Sequence, residues 1–152
     1  MQTTEPCRAA GEVVDLMTPD PVTVQPTAPV GEVWKTMAER RFRHMLVSDE
    51  ANRLLGLVSQ RDLIAVAHST GLGIDSDDDR PISELMHSSV DTVRPECCAA
   101  EAARYMLSSK HSCLPVVDDG GVLIGILTEA DFLRLATREV PPCTCGGLSA
   151  PA

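Results

Sequence analysis

The chain has 152 residues, with 22 acidic against 13 basic side chains, a formal net charge of -9 and a sequence pI of about 4.8. That length suits one ordinary domain, able to bury roughly two-thirds of its unfolded surface. The acidity argues against nonspecific binding to nucleic acid or to an anionic membrane, because phosphate repels it, and no apolar run approaches the roughly 18 residues that span a bilayer.

In chain order, Met1 to Gly11 shows no basic region followed by an apolar stretch. No signal peptide is therefore expected, and the expected compartment is the cytoplasm. Val13 to Met17 reads as a short helical lead-in. Val22-Thr23-Val24 reads as extended, ended by Pro26. Val30, Val33, Trp34 and Met37 fall at i, i+3, i+4 and i+7, which predicts a helix with one apolar face. A strand over Met45-Leu46-Val47, turn residues Asp49 to Asn52, a second strand from Leu54 to Ser59 and a helix from near Asp62 follow.

The same order then recurs. Residues 15–67 align with 84–136 at a constant offset of 69 without a gap, and 13 of the 53 positions are identical. The second lead-in is Ile82 to Met86, the second extended stretch Asp91-Thr92-Val93, and the second helical stripe Ala99, Ala102, Ala103 and Met106. Strands are predicted over Leu114 to Val117 and Val122 to Thr128, and a last helix near Asp131. Such a repeat is one structural unit built twice. Each unit is strand-helix-strand-strand-helix with a three-stranded sheet, and two such units bury their open faces on one another. The predicted boundaries are 11–67 and 81–136. A Gly-, Ser- and Asp-rich solvated linker over 68–80 joins them, and flexible ends over 1–10 and 137–152 flank them. Asp77-Asp78-Asp79 is expected to be a solvated turn rather than a metal site. Trp34 and Met17, Met37, Met86 and Met106 are read as core.

Six cysteines are present, and only Cys143 and Cys145 form a close non-adjacent pair. Free thiols in a reducing compartment are expected. No Cys-His or Ser-His-acid set and no Walker loop is recognisable.

The residues with chemical interest are Ser59-x-x-Asp62 and Thr128-x-x-Asp131, each between a strand end and a helix start. The hydroxyl can donate to a phosphate oxygen near helix-start N–H groups, and the carboxylate can accept from the two hydroxyls of a ribose. The same four residues also read as helix capping boxes with Asp in place of Glu. Residue types alone leave both readings open.

Taken together, Leu-Met-Thr-Pro at 16–19, Val-Thr-Val at 22–24, Leu-Pro-Val-Val-Asp at 114–118, and Gly-x-x-[Ser/Thr]-x-x-Asp at 56–62 and 125–131 resemble the CBS (cystathionine β-synthase) domain, over roughly residues 13–136. The pair is similar to a Bateman module. Leu46 and Ser48 depart from the pattern that Pro115 and Val117 follow. The resemblance implies an α/β (α+β) fold, a tandem CBS repeat of two βαββα units packed through their sheets with pseudo-twofold symmetry. It implies a regulatory rather than catalytic role, with no required cofactor. It implies that Ser59, Asp62, Thr128 and Asp131 contact an adenine nucleotide such as AMP, ADP or ATP. Arg43 and His44, ending the densest basic stretch, would meet its phosphates. Val22, Val24, Val58 and Leu127 would form an adenine slot. A homodimer and an unidentified effector protein are the partners implied, with no nucleic-acid polymer and no membrane. The alternatives are a ligand-free dimeric interaction module and a redox or metal sensor acting through Cys143 and Cys145.

Overall fold

The computed structural model describes residues 10–71 and 78–138. Cys7, Cys143, Cys145 and Asp77 lie outside them, so the tail-cysteine alternative falls outside the described residues. The first repeat holds α1 (Val13–Leu16), β1 (Thr18–Pro19), β2 (Thr23–Val24), α2 (Val30–Arg40), β3 (His44–Ser48), β4 (Leu54–Ser59) and α3 (Gln60–Thr70). The second holds a 3-10 turn (Ile82–Glu84), α4 (Ala99–Ser109), β5 (Cys113–Val117), β6 (Leu123–Thr128) and α5 (Glu129–Arg138).

Helical structure runs past the predicted end of each repeat. Helix α3 continues to Thr70, where Gly71 takes the left-handed C-cap that glycine adopts without strain. Helix α5 reaches Arg138. The end of the predicted linker is tied to the first repeat through its backbone. The N-cap of α2 is Pro29, which supplies no capping side chain. The free N–H groups of Val30 and Gly31 donate instead to the carbonyls of Arg80 (2.8 Å) and Asp78 (3.0 Å). The Asp78 carboxylate is held by the Arg80 guanidinium at 2.6 Å.

In the first sheet β2 pairs parallel with β3 and β3 antiparallel with β4. In the second, β5 pairs antiparallel with β6, and Val93 takes the place of β2 through a parallel bridge to Val116. The departure at Leu46 and Ser48 leaves the strand intact. Register shifts occur at Val47/Ser48 and at the matching Val116/Val117.

The two lead-ins are exchanged. Strand β1 pairs with β6 of the second repeat, Thr18 opposite Ile126. His87, which matches Thr18 by the offset of 69, bridges to Leu57 of the first repeat, with hydrogen bonds of 2.9 and 3.0 Å in the two directions. Fully buried Val13 joins the core of Ala102, Met106, Leu114, Val116 and Leu127, while Ile82 joins that of Val30, Val33, Met37, Met45, Val47, Val58 and Leu63. The glycines common to both repeats make this possible. A Cβ on Gly56 would stand 2.7 Å from the Met86 sulfur and 2.8 Å from the His87 carbonyl oxygen, and one on Gly125 would press on Met17. Each sheet is thus completed by a segment from the other repeat. A third cluster, Leu46, Val117 and Leu123 with Leu54, Leu57 and Ile126, fills the space between the sheets. At one end of that interface the Asn52 amide donates to the Leu123 carbonyl at 2.9 Å.

Candidate functional site

The principal cavity, about 860 Å³, opens at the end of the inter-sheet interface opposite Asn52. Its first wall is the β4–α3 junction, from Leu57 to Ile64, together with Arg43 and His44 at the start of β3. The second wall comes from the other repeat: the stretch His87 to Asp91 and the residues Lys110 to Cys113 that lead into β5. The exchange of lead-ins puts His87 to Asp91 here. Among the described residues, no cluster of metal-binding side chains is found.

Ser59 is the N-cap of α3, and the capping box predicted as one of two readings is formed. The Ser59 hydroxyl oxygen accepts from the Asp62 N–H at 3.1 Å, and Asp62 Oδ2 accepts from the Ser59 N–H (2.9 Å) and hydroxyl (2.5 Å). The single Ser59 hydroxyl proton is directed to Asp62. Asp62 Oδ1 faces the cleft, with His87 Nε2 at 3.1 Å. Burial works to raise the Asp62 carboxyl, but the two Ser59 bonds and His87 outweigh it and hold the group below its ordinary value. It is an anion at neutral pH.

Arg43 Nη2 lies 3.7 Å from Glu129 Oε2, and both side chains are largely exposed. His44 Nε2 is 3.0 Å from the Ser112 hydroxyl, a bond between the two repeats. Burial, reinforced by the charge of Arg43, lowers the His44 pKa. His44 is therefore a neutral ring at neutral pH. Arg61 and Lys110 line the cleft and make no ion pair among the described residues. Cys113 is buried beside the cleft, and burial pushes its thiol up to about 11, so it stays protonated.

Several lining residues escaped the sequence reading. The second lead-in predicted from sequence ends at Met86 and the extended stretch begins at Asp91, so His87, Ser89 and Val90 fall in neither. Asp91 Oδ2 accepts the Tyr105 hydroxyl at 2.6 Å and sits 2.8 Å from His111 Nε2. Those two contacts hold the Asp91 carboxyl below its ordinary value. The apolar slot is also placed differently. Val58 and Leu127 are fully buried in the two cores, Val24 packs on the first core, and Val22 is partly exposed and outside this cleft. Leu57, Ile64 and Val90 are the apolar side chains that line it. Thr128 and Asp131 are likewise outside it. The Thr128 N–H (2.7 Å) and hydroxyl (3.0 Å) bind Asp131 Oδ2, and the Arg134 guanidinium binds Oδ1.

The CBS domain family model matches residues 13–69 and 82–138. Among solved structures, the AcuB protein of Vibrio cholerae is 36% identical with a TM-score of 0.78, covering 86% of this chain and 94% of that one. CBSX2 in complex with AMP is 33% identical with a TM-score of 0.75, covering 84% and 97%. The CBS pair of protein MJ0100 in complex with 5-methylthioadenosine and S-adenosylmethionine is 26% identical with a TM-score of 0.73, covering 86% and 99%. Some relatives are much longer: this chain is 33% identical to the magnesium transporter MgtE of Thermus thermophilus but spans 27% of its length. No helix among the described residues is long and apolar enough to cross a membrane. With both repeats matched and the exchanged two-sheet fold formed, the chain belongs to the CBS domain family, as a tandem pair.

Proposed function

We propose that this CBS pair is a regulatory module that binds an adenine nucleotide (AMP, ADP or ATP) in the cleft at Asp62. The observation that carries the reading is the Asp62 carboxylate. One oxygen is fixed by Ser59 and the other is directed into a cavity of about 860 Å³, within the range of small-molecule sites. A ribose diol donates to that edge in place of His87. Arg43, Arg61 and Lys110 offer positive charge to phosphates, with Asp91 and Glu129 turned to Tyr105, His111 and Arg43. Leu57, Ile64 and Val90 offer apolar surface to the base. The AMP complex of CBSX2 and the S-adenosylmethionine complex of MJ0100 support the adenosine class by likeness.

A ligand in this cleft touches both repeats, so it favours one angle between them, and an effector protein reads that angle, within a homodimer in the cytoplasm. Calorimetry with AMP, ADP, ATP, adenosine and S-adenosylmethionine tests the reading. Saturable binding of at least one phosphorylated member supports it. The ligand-free interaction module has its own support, because the Ser59–Asp62 box is satisfied without any ligand. Absence of heat with every compound, from protein that remains folded, favours that second reading.

A further inference from the structure

The two carboxylates that the repeat makes equivalent are unequally available. The Asp62 side chain is 29% exposed and borders the large cleft, whereas that of Asp131 is 2% exposed and borders a cavity of about 30 Å³. That space holds about one water molecule. On both carboxylates Oδ2 is bound by the preceding Ser or Thr in the same way. The difference lies at Oδ1. Asp62 Oδ1 meets His87, a largely exposed side chain from a different segment. Asp131 Oδ1 is held by Arg134, one turn along the same helix. The residue three after Asp62 is Ala65, which has no reach.

Helical spacing places residues i and i+3 side by side, and a guanidinium presents N–H donors in a plane that suits a carboxylate edge. Those donors stand where ribose hydroxyls would donate. A ligand that displaced Arg134 would leave a nearly buried carboxylate facing a neutral diol instead of a cation, and separating a buried charge from its partner is costly. Displacing His87 costs less, because the Asp62 carboxylate is partly solvated.

We infer that Arg134 is an internal plug: its guanidinium occupies the carboxylate edge of the second repeat, so the chain binds a single adenosine ligand, at Asp62. The ligand class rests on the function proposed above; the plug is a separate claim. The test is calorimetry with AMP, run on the full chain as wild type, Asp62→Ala, Arg134→Ala and the double variant, with circular dichroism to establish folding. One ligand per wild-type chain is expected, with binding lost in Asp62→Ala and regained in the double variant with an affinity about tenfold or more above that of Asp62→Ala. Arg134→Ser replaces Arg134→Ala if the alanine variant does not fold. Two ligands per wild-type chain, undiminished binding in Asp62→Ala, or a folded double variant that does not bind would each overturn the plug while leaving an adenosine-binding module. Wild type that binds nothing, beside an Arg134→Ala variant that binds one ligand, would uphold the plug and overturn the reading of the Asp62 cleft. If neither binds, both fail.

Discussion

The substitution that most directly probes the cleft is Asp62→Asn, with Asp62→Ala beside it. Asp62 has two separable jobs. Oδ2 closes the capping box with the Ser59 N–H and hydroxyl, and Oδ1 faces the cleft at 3.1 Å from His87. Asparagine preserves the shape and one acceptor, so the cap can persist, but it turns an amine with two protons toward either Ser59 or the ligand diol, where donors already stand. A hydrogen bond to a charged group contributes about 1.5–3 kcal/mol, or about 10- to 150-fold in affinity. Asp62→Asn should therefore weaken AMP by that factor and lower the melting temperature at neutral pH by less than alanine does. Alanine removes the box as well, at a further cost of about 1 kcal/mol in stability. Calorimetry measures the affinity and thermal melting the fold. An affinity for AMP within about twofold of wild type in a folded Asp62→Asn protein would refute the role given to this carboxylate.

Other consequences follow from the same geometry. Arg43→Ala should reduce affinity for AMP or ATP while sparing adenosine, and should cost under about 1 kcal/mol in stability, since its pair with Glu129 is largely exposed; calorimetry with the three ligands separates these outcomes. Gly56→Ala forces a methyl group against the Met86 sulfur and the His87 backbone, and overpacking of this kind costs roughly 1–3 kcal/mol, a melting shift of several degrees that a thermal scan detects. The pH dependence has a definite sign. Because the folded carboxyl of Asp62 lies below its ordinary value, the stability it adds is present above about pH 4 and is lost as pH falls through the folded value, so wild type and Asp62→Asn should converge in stability in acid. Sedimentation should give at least a dimer at micromolar concentration, and a clean monomer would remove the homodimer while leaving the pair within one chain intact.

Much of this architecture is legible in the residues. The gapless repeat gives the number of units. Apolar stretches flanked by turn residues locate β3 to β6, helical spacing locates α2 and α4, and the strand limits Leu54 and Ser59 agree with the structure. What local pattern does not carry is which half receives each lead-in. Asp15-Leu16-Met17 and Glu84-Leu85-Met86 are nearly the same peptide, so either sheet offers either lead-in the same apolar seat and the same glycine gap. The choice is made by chain connection and by non-local hydrogen bonds such as Ala99 N–H to the Gly11 carbonyl and Val30 N–H to the Arg80 carbonyl. The second cleft wall was hidden for that reason. Arg134 was not hidden: an arginine three residues after an aspartate within a helix is a visible pair, and comparison with Ala65 would have found it.

Exchange of the lead-ins also determines that the cleft is walled by both halves of the pair. Were each lead-in seated on its own repeat, the wall from His87 to Asp91 would stand on the second sheet, and Asp62 would look across at no such segment. In the observed arrangement His87 is bonded through its backbone to Leu57 in β4, and two residues later the same strand of chain reaches the cleft at Ser89. Lys110 to Cys113 approach from the second sheet proper, and His44 reaches Ser112 across the interface at 3.0 Å. The site is therefore a joint between halves rather than a pocket within one. On the function proposed above, a phosphate group that drew Arg61, Lys110 and Arg43 together would bring the two walls closer. Around the cleft, the side-chain contacts between its walls are an exposed Arg43–Glu129 pair, a neutral His44–Ser112 bond and the His87–Asp62 contact at 3.1 Å, which are of the weak, partly solvated kind.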